Sequence, residues 1–456
     1  MKRFRFYAIL IAMVTLVACS DDDFDSQLTT DLETDTFTFS AEGGTQSFLL
    51  ESNESWMVSE TPDWLRVEVE DVDEDPATRS QVFTKGKKEV TLTAEANSEN
   101  EERTAGLSMK TLNGKELILK VIQERKPELV GYWILSEGYA GQGNAELAWY
   151  DVAKDKLAKK QFKAKNGNPL GDTGNDLALY GSKMYVVVTG SGFGTETTKE
   201  NSYIEVINPA DGKSIKRIPF TDAEGTPAKP RNIIFEGGHG YVSSYSNEVV
   251  RLDTISLTLD KHAALSGILA EGLTYNNGNL YVCNGGQGAD NKVSVVDVEE
   301  MTETNVITTA NNPSNIVSVT NGDIYFNTDW PGYNFYKLTT ADETITEISD
   351  KSVADITYSK KENIIYTSFF DWETYTGEVN QFDVSTGTTT KLNLDLESVG
   401  IPMIMEYHVG TINGSDYLYL TGMGEDVVIF DPITQDIKHA FKTGSPNGSG
   451  VVAVYR

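Results

Sequence analysis

The chain is poor in cysteine, histidine and positive charge, and each shortage removes a class of function. Cys19 and Cys283 are the only cysteines in 456 residues, so there is no intrachain disulfide framework and no cysteine metal cluster. The four histidines, His239, His262, His408 and His439, show no HxxxH or HxH spacing, which disfavours a zinc or copper site. Lysine and arginine number 38 against 68 aspartates and glutamates, a formal net charge of -30. Such a surface repels a phosphate backbone, and nucleic acid is not expected as a partner. No GxSxG, paired-histidine or phosphate-loop motif is present, so no catalytic residue, metal or cofactor is expected. Stability must then come from buried apolar surface, which a chain of this length supplies in two domains.

Long apolar runs are also scarce. The run at the N-terminus, Tyr7 to Leu16, is too short to span a bilayer. It follows Lys2, Arg3 and Arg5 and precedes Leu16-Val17-Ala18-Cys19, which resembles a bacterial lipoprotein signal with Cys19 as the lipidated first residue. An ordinary secretory signal with an incidental cysteine is the alternative. Residues 1–19 are read as signal peptide and residues 20–35 as an acidic flexible tether. The run Ser20-Asp21-Asp22-Asp23-Phe24-Asp25 is similar to the export tag of Bacteroidota lipoproteins carried to the outer face of the outer membrane. That resemblance implies a lipid anchor and a cell-surface location.

Residues 36–126 alternate short period-two stretches (Phe37/Phe39, Phe48/Leu50, Trp56/Val58, Leu65/Val67/Val69, Val90/Leu92, Leu107/Met109, Leu117/Leu119/Val121) with turns rich in Gly, Asn, Asp and Glu. Short strands at this spacing argue for an immunoglobulin-like β-sandwich. The stretches FTFSAEGGTQSFLLESNESWMV (37–58), DWLRV (63–67), VTLTAEANSENEERTAGL (90–107) and ILKVIQ (118–123) resemble the BACON module of Bacteroidota surface proteins. The resemblance implies a carbohydrate-binding role, and Gly43 and Gly44 would make the first hairpin turn. Sugar stacking needs exposed aromatic faces, yet Trp56 and Trp64 sit in strand patterns that bury them. The acidic patch Glu68, Glu70, Asp71, Asp73, Glu74 and Asp75 lacks the grammar of a calcium loop and reads as a solvated loop.

From residue 127 to 456 a strand carrying a tyrosine recurs at Tyr132, Tyr185, Tyr241, Tyr281, Tyr325, Tyr366 and Tyr419, at intervals of 40 to 56 residues. That period is the length of a four-stranded propeller blade. Most copies are followed by a second strand ending in Asp or Asn, such as Ile204–Asn208 or Val427–Asp431, where a hairpin turn begins. Pro230–Ile234, Glu271–Leu273 and Pro313–Ile316 would be innermost strands. The first unit lacks one, whereas Ser449–Tyr455 is left over at the C-terminus. Supplying the missing strand from the end of the chain would close a seven-bladed β-propeller and remove its open edge; six or eight blades remain the alternative.

In such a blade the loops between second and third strands share a face with the connections between blades. Those loops carry Tyr139, Phe193, Tyr245, Trp330, Tyr333, Phe369, Phe370, Trp372 and Tyr375 among many Gly and Asn. Large aromatics in loops are candidates for a binding surface or for core plugs. The group Trp330, Tyr333, Phe370, Trp372 and Tyr375 is the densest, with Asn168, Asn232, Asn284, Asn315 and Asn327 as hydrogen-bonding partners. Arg231 and Lys229 are positive groups suited to a phosphate or carboxylate, or simply facing solvent. The candidate ligand residues are therefore Tyr139, Phe193, Arg231, Tyr245, Asn284, Asn315, Trp330, Tyr333, Phe370, Trp372 and Tyr375.

YWILSEGYAGQGNAELAWYD (132–151), NGNPLGDTGNDLALYGSKMYVVV (166–188) and PRNIIF (230–235) resemble Bacteroidota lipoproteins of the YncE-like seven-bladed propeller class. That class includes surface proteins that capture cobalamin and pass it to a TonB-dependent transporter. The resemblance implies a non-enzymatic capture lipoprotein with a corrinoid ligand. The BACON-like module departs from the simplest capture form and favours the alternative, a glycan-binding lipoprotein of a polysaccharide-utilisation system. A propeller lyase or hydrolase using His408, His239, Glu271 or Asp172 is the third reading.

Overall fold

The computed structural model describes residues 25–71, 82–191, 202–288, 290–349, 352–371, 373–374, 376–401, 404–412 and 415–456. The signal segment, Cys19 and residues 20–24 lie outside the described residues, as do Asp73, Glu74 and Asp75 of the acidic patch. The chain forms two compact units, Met1–Pro127 and Glu128–Arg456. Both are built from strands; among the described residues the one α-helix is Gln161–Asn166.

In the first unit a four-stranded sheet (Leu28–Thr30, Gly44–Ser52, Gly86–Ala94, Leu65–Asp71) and a five-stranded sheet (Thr36–Phe39, Glu116–Gln123, Arg103–Thr111, Trp56–Val58, Val82–Phe83) share one core. Period-two alternation sends Phe48, Leu50, Val90 and Leu92 inward from one sheet and Trp56, Leu107, Met109, Leu119 and Val121 from the other. Trp56 is fully buried against Phe83, and Trp64 is half-buried with the Arg103 guanidinium 4.7 Å above its ring. Two details differ from the sequence reading. The stretch taken as tether contains the strand Leu28–Thr30, which pairs with Leu50–Ser52 because Leu28 finds a place in the core. The turn at Gly43-Gly44 does not close a hairpin: Thr36–Phe39 runs parallel to Lys120–Gln123, whereas Gly44–Ser52 pairs in the other sheet. Gly43 makes that crossing with φ +80°, and a Cβ there would collide with the Ala94 carbonyl.

Among the described residues the second unit contains seven antiparallel four-stranded sheets. In six of them the strands run in chain order from the innermost outward. In the remaining sheet the innermost strand is Gly448–Tyr455, hydrogen-bonded to Leu129–Ser136. The innermost strands lie side by side in sequence, and Gly448–Tyr455 contacts both Ile404–Ile412 and Gly174–Tyr180, so the series closes on itself in a propeller-like arrangement. Apolar clusters fill the wedges between adjacent sheets; one joins Tyr419, Val427 and Ile429 to Tyr132, Ile134 and Val451. The recurring tyrosines are part of this filling. Tyr132, Tyr185, Tyr241, Tyr325, Tyr366 and Tyr419 are buried and Tyr281 half-buried, with Tyr132 and Tyr419 meeting edge to face at 5.9 Å.

Candidate functional site

One local irregularity recurs and builds the site. Where the innermost strand of a sheet begins, its pairing with the second strand slips by one residue: between Gly174 and Asp176, Pro230 and Ile233, Ala270 and Leu273, Pro313 and Ile316, Ile404 and Glu406, and opposite Leu135/Ser136 on the C-terminal strand. Six of the seven sheets share this bulge; the sheet beginning at Asp355 pairs regularly. A bulge re-aims side chains at the end of a strand. Here it frees Asn175, Arg231, Asn232, Glu271, Ser314, Asn315 and Ser449 from the alternation that buries Leu177, Ile233, Leu273 and Ile316, and all seven line one cavity of about 420 Å³.

The cavity therefore sits at the axis of the closed series, at the end where the innermost strands start. Its remaining walls come from Glu137, from Asp329 and Tyr333 in the loop before Phe335–Thr339, from Ala354 and Asp355, from Ser368, Phe369 and Phe370, and from Ile404 and Gly448. Gly272 keeps its neighbours close: a Cβ there would fall 2.5 Å from the Ser314 carbonyl oxygen of the adjacent innermost strand.

Arg231 holds the floor together. Its Nε donates to Glu271 Oε2 at 2.9 Å and its Nη1 to Asn175 Oδ1 at 2.5 Å, while the guanidinium lies 4.7 Å above the Tyr245 ring. Tyr245 in turn donates its hydroxyl proton to Glu271 Oε1. Burial works against the charge of Arg231, but Glu271, Tyr245 and Glu137 outweigh it and raise its pKa. The carboxylates show the opposite pressure. Burial raises Glu137, with Arg231 opposing and Asp172 adding to the rise. Asp176 accepts the N–H groups of Leu177 and Ile233, yet burial still lifts it to about 6 from an ordinary 3.8. Among the described lining residues four carboxylates face one guanidinium.

These shifts carry a stability prediction. A carboxyl whose folded pKa exceeds its unfolded value favours folding most when protonated. For Asp176 that contribution is complete below about pH 3.8 and is lost as the pH rises through about 6. Two pKa units correspond to about 3 kcal/mol, which partial solvent contact at Asp176 reduces to about 1–2. The melting temperature of the ligand-free protein is expected to rise as the pH is lowered from 8 to 5, and Glu137→Gln to show a shallower rise. Parallel profiles for wild type and variant in scanning fluorimetry would refute the assignment of Glu137.

The residues singled out from the sequence divide into four groups. Arg231, Asn315, Tyr333 and Phe370 line the cavity, as does Phe369, whose ring meets Tyr333 edge-on at 5.6 Å. Tyr245 is buried beneath Arg231. Asn284 is fully buried and donates to Ser294 Oγ at 2.8 Å. Tyr139 and Trp330 are exposed, at 50% and 65%, outside the cavity lining. Phe193, Trp372 and Tyr375 lie outside the described residues. Sequence reasoning did not place Asn175, Glu137, Asp329 or Asp355 at a ligand site and kept Glu271 for catalysis. The signal was present in Gly174-Asn175-Asp176-Leu177, Pro230-Arg231-Asn232-Ile233, Ala270-Glu271-Gly272-Leu273 and Pro313-Ser314-Asn315-Ile316, where two residues, at least one of them polar, repeatedly separate a strand-opening Gly, Pro or Ala from a core aliphatic.

No curated protein matches the chain. Among solved structures it is similar to the hydrazine synthase of Kuenenia stuttgartiensis, at 15% identity and a TM-score of 0.45, over 57% of this chain and 76% of that one. It is also similar to the dihydro-heme d1 dehydrogenase NirN in complex with DHE, at 12% identity and a TM-score of 0.42, over 79% and 69% of the two chains. Likeness at this level is silent on chemistry. Residues 130–397, more than half of the chain, match the family described as a domain of unknown function, DUF5074, and the chain belongs to that family.

Proposed function

We propose that the protein is a non-catalytic capture protein whose ligand docks at the axial cavity of a seven-bladed propeller. In this reading the seven sheets are the blades, and the N-terminal unit is an immunoglobulin-like sandwich of BACON type. Cys19 anchors the protein in the outer membrane at the cell surface, and the cargo passes to a TonB-dependent transporter. The observation that carries the proposal is the convergence of strand-opening polar residues from neighbouring sheets on one cavity walled on one side by Tyr333, Phe369 and Phe370. Concave sites with a few placed polar groups and aromatic walls are where small ligands bind. The site's own chemistry suits holding better than turnover: Glu271 is tied to Arg231 and Tyr245. His239 opens its strand at the end remote from the cavity, directly after the turn at Gly237-Gly238.

A corrinoid is the leading ligand. Its carboxamide fringe matches amides and carboxylates, and its flat face matches the aromatic side of the mouth; only part of so large a molecule would enter 420 Å³. A glycan is the second reading, favoured by the exposure of Trp330 as a stacking face. Calorimetry of the protein against cyanocobalamin and a polysaccharide panel is expected to give heat of binding without product. Trp330→Ala together with Tyr333→Ala is expected to weaken the affinity at least tenfold, about 1.4 kcal/mol. Product accumulating with time would overturn the capture reading, and unchanged affinity in the double variant would overturn this choice of face.

A further inference from the structure

We infer that the arm of the ligand entering the axial cavity carries a hydrogen-bond-donating nitrogen, a carboxamide or an ammonium, and no anionic group. The inference rests on the capture role proposed above and deepens it. It begins with the donors inside the site. Arg231 commits Nε to Glu271 and Nη1 to Asn175, and the Tyr245 hydroxyl is committed to Glu271. Arg231 thus shares its charge with Glu271 and turns two of its N–H groups into the protein. The oxygens outnumber it: Glu137, Asp329 and Asp355 line the same space in addition to Glu271.

A carboxylate or phosphate entering there would meet like charge in a confined, partly desolvated cavity, where repulsion is least screened. An N–H group would instead find charged acceptors, the stronger kind of hydrogen bond. Tyr333, Phe369 and Phe370 on one wall accommodate an apolar stem, and aromatic faces also favour a cationic head. The strand bulges fix the direction of Asn175, Arg231, Glu271 and Asn315, which sit on slipped pairs anchored by core residues.

Matched pairs test this on the full chain by calorimetry at pH 7.5. The first pair is cyanocobalamin against a set of its monocarboxylic acids, each with one carboxamide hydrolysed; the second is glucosamine oligomers against galacturonate oligomers. The expected result in whichever pair binds is a loss of at least tenfold, about 1.4 kcal/mol, for the anionic partner, confined in the corrinoid set to the acid whose arm enters. Binding in the first pair identifies the donor as a carboxamide, and in the second as an ammonium. Asp329→Asn with Asp355→Asn is expected to shrink the gap between partners; if that variant does not fold, the wild-type comparison decides alone. Anionic partners that bind within about twofold of the neutral or cationic ones, or tighter, would overturn the inference while leaving capture intact. If neither pair binds, both readings fall.

Discussion

Deleting the C-terminal strand is expected to prevent the second unit from folding. Gly448–Tyr455 is the innermost strand of the sheet that also contains Leu129–Ser136, although more than 300 residues separate the two in the chain. The deletion removes Val451, Val452 and Val454, all buried, at about 1.5–3 kcal/mol each. That sum approaches the whole stability of an ordinary domain, about 5–15 kcal/mol. It also strips the ladder from Tyr132, Trp133 and Ile134, leaving Leu129–Ser136 as an unpaired edge, and removes the contacts to Ile404–Ile412 and Gly174–Tyr180 through which the series closes. Further contacts go with it: Ser449 Oγ donates to the Gly174 carbonyl at 2.5 Å, and Thr421 Oγ1 donates to the Gly448 carbonyl at 2.7 Å. Ending the chain at Asn447 should yield aggregated protein, or a form whose second unit has no cooperative thermal transition. A soluble variant with an unchanged transition would show that closure through this strand is dispensable.

Arg231→Ala should be the most costly single change at the cavity. Arg231 and Glu271 are largely buried, with side-chain exposures of 21% and 14%. Removing one member of a buried pair leaves the other charge without its partner, at a cost of about 3–5 kcal/mol. Here the loss extends to Asn175 and to the face of Tyr245. We expect about 3 kcal/mol by denaturant titration, near the lower limit because the pair retains some water. Glu271→Gln placed on top should recover part of it, since a neutral amide no longer needs the guanidinium. The double-mutant cycle is then expected to show a coupling of about 1–3 kcal/mol. Strict additivity would mean that Arg231 and Glu271 do not act as a unit.

Much of the strand content was legible in one dimension because strands announce themselves by periodicity and turn chemistry. The tyrosine recurrence, the Asp and Asn hairpin starts and the leftover strand 449–455 can be read directly. The helix Gln161–Asn166 could not, being six residues without a side-chain N-cap and stabilised by burying Phe162 between sheets. The strand Leu28–Thr30 was hidden for a similar reason: three residues hold no periodicity, and only the core they join makes them a strand.

The candidate site was legible in its face but not in its centre. Loop aromatics pointed to the end of the second unit that holds the cavity, and Tyr333 and Phe370 line it. Asn284 and Tyr245, chosen with equal reason, are packed inside. Nothing in the local sequence separates an asparagine that lines a cavity from one that satisfies the end of a strand, because that choice depends on which neighbour fills the space above it. The sequence by itself determined the repeat, the acidic surface and the absence of catalytic motifs, since these follow from local pattern and composition. Tertiary structure decided that Arg231 is held by Glu271 and Asn175, and that carboxylates from distant repeats face one cavity. Both depend on six slipped strand pairings and one regular counterpart meeting at a common axis, and distances across that axis are set by packing between sheets rather than by separation along the chain.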